Sequence, residues 1–256
     1  MRLKLPDLPQ INGLFVTGTD TDVGKTLIAA GLTGALRRQG LNAGYFKPIQ
    51  SGCPKQEGRL LPTDALRVRD LAGLPESLEA LTPITLRLPL APGVAAAREG
   101  VKVDLEKVAA AFRDLAGRYD FLVVEGAGGL YVPLVDTGFL VLDLARWLRL
   151  PLLVVARAGL GTINHTALTV LAARQAGLPL AGVILNRCSP VPGLAEQTNP
   201  AVIAAITGVP ILGQVPEINN PDQPGGREIL LSAMSKICAQ AGYFANHAKG
   251  EGGEAR

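Results

Sequence analysis

Residues Leu14 to Gln39 read LFVTGTDTDVGKTLIAAGLTGALRRQ. The apolar run Leu14-Phe15-Val16 has the look of a buried strand, and it ends in a polar turn between Gly18 and Gly24. Lys25 and Thr26 follow at once, and a helical pattern then runs to Arg37 and Arg38, stopped by Gly40. Strand, glycine-bearing loop, Gly-Lys-Thr and helix form the layout of a phosphate-binding loop. The start of such a helix presents unpaired N–H groups and a positive dipole end to an anion. Lys25 reaches toward the outer phosphates in this layout, and the Thr26 hydroxyl faces Mg²⁺. The usual spacing is G-x-x-x-x-G-K-[ST], whereas five residues separate Gly18 from Gly24 here.

Outward from this stretch, apolar runs alternate with helical patterns. Strands are expected at Asn42–Phe46, Phe121–Val124, Leu152–Ala156, Leu180–Leu185 and Ile211–Val215. Helices are expected from Thr63 to Leu71 (with Thr63 or Asp64 near its N-cap), Asp104 to Ala116, Thr137 to Leu148, Ile163 to Gln175, Asn199 to Thr207 and Arg227 to Gln240. The proline-rich segment 73–100 is expected to hold loops and short pieces, with room for a seventh strand. Near-continuous apolar strands alternating with helices imply an α/β fold: a predominantly parallel sheet of six to seven strands, flanked by helices on both faces. Residues 1–244 read as one domain of this kind, and 245–256 as a disordered tail.

In an open parallel sheet the ligand lies beyond the carboxyl ends of the strands. The residues there are Lys47, Glu125, Asn186 and Pro216, together with the phosphate loop. Glu125 is the candidate carboxylate for Mg²⁺, a hard cation that takes oxygen ligands. Spacing alone leaves Asp64 between a second metal ligand and a helix N-cap, and leaves Lys47 between a phosphoryl-stabilising cation and a surface lysine. Gly126, Gly128 and Gly129 would let backbone approach a ligand closely. His165 has no histidine or cysteine at ligand spacing and reads as an ordinary helix residue.

Composition narrows the functional classes. The chain has 256 residues, 48% hydrophobic and 18% charged, enough for one large core. A formal charge of +3 without a polybasic cluster does not call for nucleic acid. The uncharged region near 197–216 is broken by Pro200, Gly208, Pro210 and Gly213, so no membrane span is expected. The opening MRLKLPDLPQ has no apolar signal region, and Cys53, Cys188 and Cys238 are scattered; a reducing cytoplasm is expected.

Four segments together are similar to the dethiobiotin synthetase family of P-loop NTPases. They are Gly18 to Thr26 (GTDTDVGKT), Lys47 to Gly52 (KPIQSG), Val124 to Gly129 (VEGAGG) and Leu160 to His165 (LGTINH). The resemblance spans roughly residues 14–216 in unchanged order, and it treats the longer loop as a family trait. It implies an ATP- and Mg²⁺-dependent cyclo-ligase acting on 7,8-diaminononanoate and CO₂ (or bicarbonate), with ADP and phosphate released. It also implies roles. Asp22, Val23, Gly24, Lys25, Thr26 and Leu27 bind ATP phosphates, and Thr26, Asp64 and Glu125 hold Mg²⁺. Lys25 and Lys47 stabilise the transferring phosphoryl group, Lys47 being the catalytic residue. Gly126, Ala127, Gly128, Asn186, Arg187, Pro216, Glu217 and Ile218 complete the nucleotide site. Ser51 contacts the diamine. A homodimer is implied in which Leu160, Gly161, Thr162, Ile163 and Asn164 of the other subunit receive the substrate carboxylate. Two positions depart from the family pattern: Asp22, where Glu is frequent, and Gly93, where His is frequent. A MinD-type switch ATPase is the rival class; it carries an early loop lysine where this chain has Asp20. An amidoligase of the cobyrinate type usually carries a glutaminase domain, for which no length remains.

Overall fold

The computed structural model describes residues 5–240. Strand β1 (Asn12–Gly18) leads through the glycine loop into α1 (Lys25–Arg38), and β2 (Ala43–Phe46) follows. Small pieces come next: β3 (Ile49–Gln50), then a β4 (Lys55–Gln56) and β5 (Arg59–Leu60) hairpin, then α2 (Thr63–Ala72) and α3 (Leu78–Leu81). After β6 (Ile84–Thr85) come α4 (Pro92–Glu99), α5 (Leu105–Ala116) and β7 (Phe121–Glu125). The hairpin β8 (Pro133–Val135) and β9 (Phe139–Leu140) precedes α6 (Val141–Leu148). The remainder alternates regularly: β10 (Leu152–Arg157), α7 (Thr162–Gln175), β11 (Leu180–Cys188), α8 (Leu194–Thr207), β12 (Ile211–Pro216) and α9 (Pro224–Gln240).

Six strands form one sheet in the order β12-β11-β10-β1-β7-β2, every pair parallel. The inner strands β1, β7 and β10 are buried on both sides, as the near-continuous apolar runs require, while the edge strand β12 is partly exposed. Leu153 and Val155 of β10 face the larger core, and the alternate residues Val154 and Ala156 face a second core with Val170 of α7 and Ile203 of α8. Register aligns the strand ends: Glu125 lies opposite Val16, Val124 opposite Phe46, and Asn186 opposite Arg157. The chemistry-bearing residues therefore emerge along one rim.

Several boundaries differ from the sequence reading. No seventh strand joins this sheet among the described residues; the short strand of the proline-rich segment, β6, pairs with β3 instead. That segment also contains a real helix, α4, begun by Pro92 at its first position, where the absent N–H costs nothing. Residues 137–140 are turn and strand, because Asp136 adopts a left-handed conformation and the Asp143 carboxylate accepts from Leu140 N–H to start α6 there. Helix α8 starts five residues before Asn199 and tolerates Pro200, giving up one helical hydrogen bond. The cap of α2 is neither Thr63 nor Asp64: Pro62 occupies the cap position, and the side chain of Gln50 meets the helix start from another element. The expected domain end at 244, the tail 245–256 and His247 lie outside the described residues.

Candidate active site

The rim of strand ends borders a cavity of about 1010 Å³. Gly24 opens α1 in a left-handed conformation (φ 98°), and no side chain caps the helix, so its first N–H groups point outward unclaimed by a cap. A side chain at 24 is excluded twice over. The backbone conformation disfavours it, and a Cβ would stand 2.0 Å from Asn186 Nδ2. Asn186 Nδ2 in turn donates to the Val23 carbonyl at 2.9 Å, which ties β11 to the phosphate loop. Asn186 Oδ1 is buried with no hydrogen-bond partner, an acceptor that borders the cavity and that a ligand's N–H would satisfy.

Behind the loop lies a buried ionic cluster. Lys47, just past the end of β2, is 4% exposed, and Glu125, the last residue of β7, is 1% exposed. Lys47 Nζ donates to Glu125 Oε1 at 2.7 Å and to Asp64 Oδ2. Thr26 Oγ1 donates to the same Glu125 Oε1 at 2.7 Å, and the Tyr45 hydroxyl donates to Oε2 at 2.7 Å. Lys25 Nζ reaches back to the Asp20 carbonyl at 2.9 Å. Burial depresses the Lys25 pKa below the ordinary lysine value, and the nearby Glu125 only partly offsets it. Burial also works against the charge of Lys47, but there the Glu125 and Asp64 carboxylates outweigh it and hold the pKa above the ordinary value. Burial first, and Glu125 second, raise the Tyr45 phenol well above its ordinary value.

Two carboxylates bridged by Lys47, and a threonine hydroxyl bonded to one of them, are hard oxygen donors. No group of three or more His, Cys, Asp or Glu among the described residues forms a full metal cage. That donor set fits Mg²⁺, which keeps waters and takes one or two carboxylates beside substrate phosphates.

Of the residues expected at the site, Asp22, Gly24, Lys25, Thr26, Leu27, Lys47, Ser51, Asp64, Glu125, Ala127, Gly128, Asn186, Arg187, Glu217 and Ile218 line the cavity. Val23, Gly126 and Pro216 do not. Val23 is buried and contributes its carbonyl to Asn186. Gly126 is glycine for packing rather than for ligand approach, since a Cβ would press on the Phe15 ring at 2.9 Å. Leu160 to Asn164 lie outside this cavity; they form the start of α7, where Leu160 is 92% exposed and Gly161 has a left-handed conformation. His165 is an exposed helix residue. At Gly93 a Cβ would meet the Asp136 carbonyl at 2.7 Å.

Sequence reasoning missed Tyr45, Gln50 and Arg67. Gln50 Oε1 accepts from Asp64 N–H at 3.2 Å, and its Nε2 donates to Thr63 Oγ1 at 3.1 Å. Arg67 lines the cavity three residues after Asp64 and makes a bidentate pair with Asp222. Signals existed for two of them: Gln50 sits inside the Lys47–Gly52 segment, and Tyr45 lies two residues before Lys47, the spacing of a shared strand face.

A family model described as an AAA domain matches residues 12–224. The chain is 52% identical over 197 residues to the ATP-dependent dethiobiotin synthetase BioD of Anaeromyxobacter dehalogenans (strain 2CP-C), which covers 77% of this chain and 86% of that protein. The BioD of Thermodesulfovibrio yellowstonii is 41% identical over 222 residues, 83% of this chain and 92% of the relative. The BioD of Bacillus subtilis (strain 168) is 42% identical over 210 residues, 82% and 89% respectively. Among solved structures, the septum site-determining protein MinD complexed with Mg-ADP, from Pyrococcus horikoshii OT3, superposes with a TM-score of 0.50 at 18% identity. It covers 93% of this chain and 95% of that one, a likeness of fold alone.

Proposed function

The chain belongs to the ATP-dependent dethiobiotin synthetase family, and from that membership we propose how its own residues carry out the reaction. It is a ligase of the P-loop NTPase fold that performs the ATP-dependent ring-closing step of biotin biosynthesis. The finer assignments are our reading.

The substrate is 7,8-diaminononanoate. One amine adds to CO₂ and loses a proton, giving a carbamate. A carbamate oxygen attacks the γ-phosphorus of ATP, the bond to ADP breaks, and a carbamic–phosphoric anhydride forms. The second amine attacks the anhydride carbonyl carbon, phosphate leaves, and a proton is released as the ureido ring closes. The phosphates are held by the start of α1, with N–H groups of Gly24 to Leu27 and the Lys25 ammonium directed at their charge. Mg²⁺, held by Thr26, Glu125 and Asp64, neutralises phosphate charge when bound. Lys47 keeps its proton, so it offers a cation to the transferring phosphoryl group and the carbamate. Ser51, across the same cavity, contacts the diamine. Asn186 Oδ1, with Arg187, Glu217 and Ile218, receives the nucleotide base. Pro216 supports that wall.

The homodimer belongs to the same reading. Leu160, Leu168, Leu171, Val191 and Leu194 leave an apolar surface around α7 and the start of α8. A second copy covering it would bring Gly161 to Asn164, a helix N-terminus, to the substrate carboxylate of its partner. We assign the protein to the cytoplasm. In support, Cys53, Cys188 and Cys238 are all free thiols. No helix among the described residues is long and apolar enough to cross a membrane.

The observation that carries the proposal is the convergence of Lys25, Thr26, Lys47, Asp64 and Glu125 on one cavity. The test is ADP release with MgATP and bicarbonate, with and without 7,8-diaminononanoate. Strong dependence on the diamine, with dethiobiotin found by mass spectrometry, is expected. Slow hydrolysis indifferent to the diamine would reject this substrate.

A further inference from the structure

We propose that Tyr45 is a positioning residue for the reaction: its hydroxyl fixes the Glu125 carboxylate so that Oε1 alone is offered to the nucleotide and its metal. The proposal rests on the reading of Glu125 as a Mg²⁺ ligand.

The geometry points to this division of labour. Glu125 ends β7, the neighbour of β2, and the register pairs Tyr45 with Val123. Tyr45 and Lys47 stand two residues apart, the period that sends side chains to one face of a strand. Both reach the same carboxylate, at different oxygens. Tyr45 takes Oε2 at 2.7 Å, while Lys47 and Thr26 take Oε1, each at 2.7 Å. Tyr45 is wholly buried and Glu125 nearly so. Packing alone does not explain the hydroxyl. Phe46, next in the same strand, fills its side of the core as a plain ring against Phe112. A phenol at 45 instead satisfies an oxygen that would otherwise be buried and unpaired. With Oε2 held, the carboxylate cannot rotate, and Oε1 stays aligned with Thr26, the first turn of α1. Outer partners of this kind fix ligand orientation, and their loss typically weakens metal binding 10–100-fold.

The experiment titrates Mg²⁺ into protein at a fixed concentration of a fluorescent ATP analogue, for wild type, Tyr45→Phe, Glu125→Gln and the double variant. Tyr45→Phe keeps the ring and removes only the hydroxyl. Binding of the analogue without Mg²⁺ reports, in the same titration, that the pocket is folded, and in Tyr45→Phe it should match wild type. The expected result is a Mg²⁺ midpoint about 10-fold higher in Tyr45→Phe. Glu125→Gln should shift it at least as far, and the double variant should match Glu125→Gln because Tyr45 acts only through that carboxylate. A Tyr45→Phe midpoint equal to wild type, beside a shifted Glu125→Gln, would overturn the role of Tyr45 and leave the Glu125 reading standing. Fully additive losses in the double variant would also overturn it, since the hydroxyl would then act elsewhere. A Glu125→Gln protein with wild-type Mg²⁺ dependence would overturn the metal reading itself, and the role of Tyr45 with it.

Discussion

Lys47 shows how a residue's burial changes what its removal means. It is pinned between two carboxylates, so a truncation both removes a cation from the transferring phosphoryl group and leaves Glu125 buried without its partner. Lys47→Met is expected to lower kcat by about 10²–10³-fold, the size found when a preorganised charge-stabilising donor is lost. Steady-state ADP release, on protein shown folded by circular dichroism, checks this. Lys47 also sets a pH dependence. Its folded pKa lies above the ordinary lysine value of 10.5, so its stabilisation is fully present below that pH. From there it is lost as pH rises through the folded pKa, because the unfolded chain sheds the proton first. The stability difference between wild type and Lys47→Met, from urea unfolding, should be constant from pH 8 to 10 and shrink above 10.5. Gly24 provides a steric case. In Gly24→Ala the new methyl meets Asn186 Nδ2 and the backbone is held in a left-handed conformation, a strain of about 1–3 kcal/mol. ATP binding, measured by calorimetry, should be lost or weakened by more than 10-fold.

At the scale of elements, the start of α2 matters because it carries Asp64. Gln50, in the short strand that follows Lys47, accepts from the Asp64 N–H at Oε1 and donates from Nε2 to the Thr63 hydroxyl. This contact joins two segments of the site, as an N-cap supplied from elsewhere in the chain. Gln50→Ala should destabilise by about 1 kcal/mol, the usual worth of a cap. It should also raise the KM for MgATP, since Asp64 loses its fixed backbone. A urea midpoint and a KM both equal to wild type would remove Gln50 from this role. By contrast, the Arg67–Asp222 pair is exposed on both sides, 42% and 56%, and ion pairs of that kind add about 0–1 kcal/mol. The apolar periodicity of α5 was readable directly. Of Leu105, Val108, Phe112 and Leu115 at helical spacing, the last three are buried and Leu105 is half-buried; the Asp104 carboxylate caps the helix by accepting from Glu106 and Lys107 N–H.

For the whole molecule, the sheet places the nucleotide cavity within one chain, while Leu160 to Asn164 stand apart from it. The proposed dimer separates these two functions. Leu168→Glu combined with Leu171→Glu puts two charges on the exposed face of α7. Light scattering should show this protein as a monomer where wild type is a dimer. ATP affinity should persist, and the KM for the diamine should rise by about 10-fold or more, the scale of a lost charge-assisted contact. A monomeric wild type would end the dimer proposal.

The sequence by itself determined the parallel α/β architecture, the phosphate loop, and Lys47, Glu125 and Asn186 at the strand ends. Those features are written in local order: apolar runs set strands, glycine and lysine mark the loop, and a parallel sheet delivers its strand ends to one rim. Local order misled where a contact from afar set the boundary. Asn199-Pro200 was read as the start of α8, yet the helix begins at Leu194, and Asn199 anchors it by donating to the carbonyls of Ala158 and Gly159. Only the tertiary structure decided what surrounds each charge. Whether Lys47 is a surface lysine or a buried cation, which Glu125 oxygen faces Thr26, and what a Cβ at 93 would meet depend on residues 17 to 99 positions away in the chain. Burial, pairing and hydrogen-bond direction are properties of that convergence, and no spacing along one segment encodes them.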